Sequence, residues 1–128
     1  MTYLLGTHTF LWFINADASL SATAQTTIEA EGTDVFLSAV SLWEMAIKVS
    51  LGKLEVPLPF AEFMQEQMRT NNILLCEIQM AHIGLVTTLP FHHRDPFDRL
   101  IIAQSLTDQI PIIGKDDIFD AYGVQRLW

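Results

Sequence analysis

Short, wholly apolar runs alternate with amphipathic stretches along the entire chain. Residues 2–5 (TYLL), 34–38 (DVFLS), 73–78 (ILLCEI) and 111–114 (PIIG) have few polar positions, the pattern of strands covered on both faces. A last short strand is expected in 124–128 (VQRLW). Between these runs the period changes to that of a helix. Phe10, Leu11 and Ile14 share a helical stripe after the first strand, and Leu42, Met45, Ala46 and Val49 share one after the second. The stretch LSATAQTTIEAEG predicts a helix with Ser19 or Ser21 as N-cap and Gly32 as stop, and Gly52 closes the helix that begins at residue 39. Beyond Pro57 and Pro59, the residues Phe60, Phe63, Met64 and Met68 mark one face of another helix, a face for core packing or for an oligomer contact. MAHIGLVTTL reads as helical. Residues 95–109 open with Asp95 and Pro96, an N-cap followed by proline at the first helical position. KDDIFDAYG gives a short helical turn. Strand and helix therefore alternate from end to end, which predicts an α/β fold with an open parallel sheet covered by helices on both sides, in one domain over 1–128.

In such a sheet the ligand site lies beyond the carboxyl ends of the strands. The residues at those junctions are Gly6 after the first strand, Glu44 after the second, Asp95 and Asp98 before the fourth, and Asp116 and Asp117 after it. Oxygen ligands of this kind suit Mg2+ or Mn2+, and no Cys/His spacing points to zinc. Such an ion activates water and steadies charge on a phosphate under attack. The same residue types also cap helices without any catalysis: Ser41 with Glu44, and Asp95 with Asp98, match capping boxes. His8 is expected to pack beside the first helix, and His92 and His93 fall in a loop.

Composition narrows the partners. Half the residues are hydrophobic and 17% are charged, which indicates a packed core rather than a disordered chain. The net charge is −8, from fifteen Asp and Glu against seven Lys and Arg, so a broad basic face for nucleic acid is excluded. Either nucleic acid is not the ligand, or the acidic groups are concentrated where a cation neutralises them; composition alone does not choose. The single cysteine, Cys76, has no partner for an internal disulfide and is expected to be buried. No apolar run is long enough to span a bilayer and no basic leader precedes the first strand, so a cytoplasmic protein is expected.

Read together, YLLGTHTFLW, SAVSLWEMAIKVSLGKL, FHHRDPFDRLIIAQ and IIGKDDIFDAYGVQRLW resemble the successive motifs of PIN-domain proteins, more narrowly the VapC-type toxins of bacterial type II toxin–antitoxin pairs. The resemblance implies a three-layer α/β/α sandwich with a four- or five-stranded parallel sheet. It also implies a Mg2+- or Mn2+-dependent endoribonuclease that hydrolyses RNA, whose acidic ligands fall on Glu44, Asp98 and Asp116, with Asp95 and Asp117 behind them. Its partners would be an RNA substrate, a cognate antitoxin whose tail covers the site, and a second copy of the chain, with the dimer face expected on the first helices and the FAEFMQEQM region. Lys48, Arg94, Arg99 and Lys115 are candidates to meet the RNA backbone, although Arg99 can equally pair with an acid on its own helix.

The chain departs from that pattern twice. The family places an aspartate where Gly6 stands, and commonly Ser or Thr where Gly114 stands. Three accounts of Gly6 are open: a degenerate copy that keeps its partners, a change selected during cloning against a toxic activity, or a thinned cluster that still holds metal weakly. All favour impaired catalysis, and the alternative to an enzyme is a PIN-fold module that dimerises and captures an antitoxin without cutting RNA. A phosphate-accepting receiver domain and a haloacid-dehalogenase-type phosphatase both need an acid at or near position 6, and no glycine-rich phosphate loop is present.

Overall fold

A computed structural model describes all residues, 1–128. The five strands are β1 (Thr2–Leu5), β2 (Asp34–Ser38), β3 (Ile73–Cys76), β4 (Ile112–Ile113) and β5 (Arg126–Leu127). The helices are α1 (Thr7–Ile14), α2 (Ala22–Glu29), α3 (Ala39–Ser50), α4 (Phe60–Thr70), α5 (Met80–Val86) and α6 (Pro96–Asp108), with a 3-10 helix over Asp117–Tyr122. All strand pairings are parallel, in the order β3-β2-β1-β4-β5. No helix is long and apolar enough to cross a membrane.

Successive strand residues point to opposite faces, and the core divides accordingly. Leu4 and Ile112 join one apolar cluster with Ile101 and Ile102 of α6. Leu5, Leu37 and Ile113 join the other, with Phe10 of α1, Ala24 and Ile28 of α2 and Met64 of α4. Helices therefore cover both faces of the sheet, and the expected three-layer sandwich is the observed fold. Cys76 is buried at the end of β3, and burial pushes its thiol pKa up, with Asp108 pushing the same way.

The helix starts differ from expectation in instructive places. Ser21, not Ser19, caps α2 by accepting from the Ala24 amide at 3.0 Å. Ser41 and Glu44 form no capping box: α3 begins a turn earlier, where Ser38 ends β2 and accepts from the Val40 amide at 3.0 Å. Ser38 is fully buried, and its hydroxyl also donates to the side-chain carbonyl of Gln104 on α6. Asp95 caps α6 as expected, accepting from the amides of Phe97 at 2.8 Å and Asp98 at 3.3 Å, with Pro96 in the first turn. Asp98 does not return the bond, because its carboxylate is engaged elsewhere. A reciprocal box does occur at α5, where Gln79 and His82 cap each other.

The apolar stripe of α4 turns inward. Met64 is buried and Phe60, Phe63 and Met68 pack against the same cluster, so the FAEFMQEQM region spends its apolar face on this chain's own core. The large exposed apolar side chains lie elsewhere, among them Trp43, Leu74, Met80, Ile83 and Phe91.

Candidate active site

β1 and β4 lie side by side at the centre of the sheet, with Leu5 paired to Ile113. The chain leaves β1 toward β2 on one side, and β4 and β5 lie on the other, so the carboxyl ends of β1 and β4 form the switch point where a crevice opens. Gly6 and Gly114 sit directly beyond these two strands. The Gly6 amide donates to the Ile113 carbonyl at 2.9 Å, and Thr9 on α1 donates its hydroxyl to the same carbonyl at 2.9 Å. The cleft above them, about 280 Å³, is lined by Gly6, Thr7, Glu44, Lys48, Asp95, Asp98, Gly114, Lys115 and Asp116, among others. That volume accommodates a hydrated ion beside a phosphate group.

Glu44 projects from α3, almost fully buried, with both carboxylate oxygens occupied. Thr7 Oγ1 donates to Oε1 at 3.0 Å and lies 2.8 Å from Ser41 Oγ, while Lys48 Nζ donates to Oε2 at 2.7 Å. Ser41 and Glu44 thus belong to the cleft wall rather than to a helix cap. Asp98 comes from the first turn of α6, and its Oδ2 lies 2.7 Å from His93 Nε2. Burial pushes the Asp98 carboxyl above its usual range, and Asp95 and Glu44 push it the same way, while the hydrogen bond and charge of His93 pull it back. Asp116 follows β4 and accepts from the Ile118 amide at 3.1 Å, so it starts the 3-10 helix from an exposed position.

The structure therefore brings Glu44, Asp95, Asp98 and Asp116 to one cleft, with Gly6 at its floor. Asp117 does not line it; the Arg126 pKa is raised first by its hydrogen bond to Asp120, and the charges of Asp120, Asp117 and Asp116 add to this. The group whose ligand atoms lie within 4.8 Å of one another is His93, Asp98 and Asp116. Sequence reasoning missed His93. The available signal was its place five residues before Asp98, but the loop between them does not reveal which way its ring turns. His8 lines the cleft from α1, its ring 5.7 Å from that of Trp12, and the His92 ring meets Tyr122 edge-on at 5.0 Å.

Of the four candidate cations, Lys48 and Lys115 line the cleft. Arg94 lies outside it. Arg99 is neither at the rim nor paired with an acid: it is buried, and its guanidinium donates to the carbonyls of Pro90, His93, Val86 and Leu89 and to the Tyr122 hydroxyl. It ties down the loop that carries His93.

A carboxylate whose folded pKa is raised costs stability once it ionises. Its favourable share is complete below the unfolded value of 3.8 and is lost as pH rises through the folded one. In chelator, Asp98→Asn is therefore expected to melt above the unsubstituted chain at pH 7, because asparagine keeps an oxygen for His93 without the buried charge. The gap should close as pH falls below 3.8, and thermal melts across pH check this.

The comparisons with known proteins agree with this architecture. The PIN domain family model matches residues 3–125. The chain belongs to the PIN domain family. No curated protein matches its sequence. Among solved structures, this PIN domain is similar to a chain of VapBC2 from Rickettsia felis bound to a DNA fragment from their promoter, with TM-score 0.72 and 14% identity, covering 99% of this chain and 98% of that one. It is also similar to a chain of FitAcB from Neisseria gonorrhoeae, with TM-score 0.64 and 16% identity over 100% and 97% of the two chains. A chain of FitAB bound to an IR36 DNA fragment gives 0.58 and 15%, over 99% and 94%. At these identities the likeness is one of fold.

Proposed function

We propose that this PIN domain is a divalent-metal-dependent endoribonuclease of the toxin type, held to a low rate by Gly6. The reading rests most on one observation: Glu44, Asp98 and Asp116, from three separate segments, line one cleft at the switch point of a PIN fold. PIN domains are generally nucleases, and the donor set of two aspartates and an imidazole fits a hard or borderline dication. Asp98, Asp116 and His93 would hold a Mg2+ or Mn2+ ion, with Glu44 beside them. When bound, such an ion lowers the pKa of water and neutralises charge building on the phosphate.

The chain's own residues do the rest. Lys48 and Lys115 place positive charge on the cleft wall, where the phosphate of the scissile bond would lie. Thr7 and Lys48 hold the Glu44 carboxylate in one orientation. Without an ion the His93–Asp98 pair holds a proton between Nε2 and the carboxylate, a proton that an ion bound through Nε2 would displace. A toxin of this kind would be silenced by a cognate antitoxin and would act as a dimer; VapBC and FitAB, whose chains share this fold, are toxin–antitoxin complexes.

A second reading is favoured by the same floor of the cleft. Gly6 offers no ligand, and the carboxylate of Glu44 already has Lys48 as counter-ion, so the chain would bind an antitoxin and a second copy without cutting RNA. RNA incubated with the purified chain in Mg2+, in Mn2+ and in chelator separates the two. Slow cleavage that appears only with a dication supports the enzyme. No cleavage with either ion, in a preparation that is folded and dimeric, supports the binding module.

A further inference from the structure

We propose that His93, Asp98 and Asp116 form a mixed nitrogen–oxygen cation site that takes a first-row transition dication in preference to Mg2+. The proposal deepens the metal-dependent reading above and rests on it. His93 Nε2 and Asp98 Oδ2 are 2.7 Å apart, and a ligand oxygen of Asp116 completes a set whose members lie within 4.8 Å of each other. Two ligands about 2.1 Å from an ion and at right angles to each other are ~3.0 Å apart, so the His93–Asp98 pair already has the spacing of neighbouring ligands.

The nitrogen donor is presented by a fixed backbone. The His93 amide donates to Tyr122 Oη at 2.8 Å, and its carbonyl accepts from Arg99 at 3.4 Å. The His93 Nε2–H now points at Asp98, while Nδ1 makes no hydrogen bond within the chain. Ligation through Nε2 therefore needs the other tautomer, with the proton on Nδ1, and a turn of the imidazole or the carboxylate that aims both lone pairs at one ion.

Two further features turn the site away from Mg2+. Position 6 supplies no oxygen, and Glu44 is outside the mutually close set, with Lys48 on one oxygen and Thr7 on the other. What remains is one neutral imidazole and two carboxylates, whose charge matches a dication without excess. Mg2+ dehydrates reluctantly and favours oxygen, whereas imidazole strengthens binding along the transition series.

The test is to titrate Mg2+ alone and Co2+ alone into the unsubstituted chain, His93→Gln and Asp98→Asn, following heat and the visible spectrum of cobalt. The unsubstituted chain should bind Co2+ about tenfold or more tighter than Mg2+, and His93→Gln should lose about tenfold for Co2+ with less than about threefold change for Mg2+. The cobalt spectrum should change with loss of the nitrogen ligand, and Asp98→Asn should weaken both ions. A readout that needs no substitution is the 15N spectrum of the chain labelled at histidine, in which one imidazole nitrogen should shift on adding Zn2+ and not Mg2+. If His93→Gln leaves Co2+ affinity and spectrum unchanged while Asp98→Asn weakens both ions, or if no imidazole nitrogen moves, the proposal is overturned and an all-oxygen site remains. If neither ion binds the unsubstituted chain at millimolar concentration, the proposal and the metal-dependent reading fall together.

Discussion

Gly6→Asp raises Mg2+ or Mn2+ affinity and RNA cleavage together, by about tenfold or more, the scale of one added anionic ligand in a partly desolvated site. The backbone already suits the change. Gly6 has φ −66° and ψ 157°, an extended conformation open to any L-residue. A Cβ there would lie 3.4 Å from the Ile113 carbonyl oxygen and 3.5 Å from Thr9 Oγ1, ordinary contact distances. Gly6 is also the N-cap of α1, which has no side-chain cap, so an aspartate would serve the helix as well as the site. The cap gain opposes repulsion from Asp98 and Asp116, so the ion-free melting temperature should move by only a few degrees, while added ion should stabilise the aspartate form more. Matched titrations of Mg2+ and Mn2+ into both forms, with cleavage followed in parallel, measure this. Equal cleavage by the two forms would remove position 6 from the reaction.

The second large effect is structural. Arg99→Ala should lower stability by about 3 kcal/mol, because the carbonyls of Pro90, Val86 and Leu89 lose a shared donor and the buried Arg99 side chain leaves a void behind it. For a chain of this length that corresponds to a melting temperature roughly 10 °C lower. Arg99→Lys should rescue little, since a single ammonium cannot reproduce the planar fork that serves several carbonyls at once. Because the same loop carries His93, proteolysis or hydrogen exchange should show residues 86–94 opening first. A small stability loss, or full rescue by lysine, would contradict the clamp.

Arg99 also illustrates why some of the site was illegible in sequence. A charged residue on a helix is expected at a surface or beside an acid. Here its partners are backbone carbonyls, which leave no trace in side-chain identity. His93 was hidden for a related reason. Its place beside Asp98 depends on a loop path fixed by Arg99 and Tyr122, and Tyr122 is distant in sequence. The strands were easier, because β1, β2 and β3 are short runs dominated by apolar residues, although Leu74 and Leu75 of the edge strand β3 are exposed, while β4 and β5 are two-residue strands whose bounds follow from pairing rather than pattern. Ser38 and Ser41 both precede an acidic or polar residue at helical spacing, and only the end of β2 decides which one caps α3. The α4 stripe was visible as a stripe, but periodicity does not say whether the face meets this chain's own core or another copy. The acids at the junctions were legible because parallel topology alone carries them to one edge.

If RNA is cut at this edge, single-turnover cleavage by the unsubstituted chain and by Asp98→Asn must differ. Both proteins are assayed with saturating Mn2+ and at equal folded concentration, confirmed by circular dichroism. The unsubstituted chain should cleave slowly and in a chelator-sensitive way, and Asp98→Asn should lose about a hundredfold or more with its fold intact. Cleavage by Asp98→Asn at the rate of the unsubstituted chain would contradict cutting at this edge.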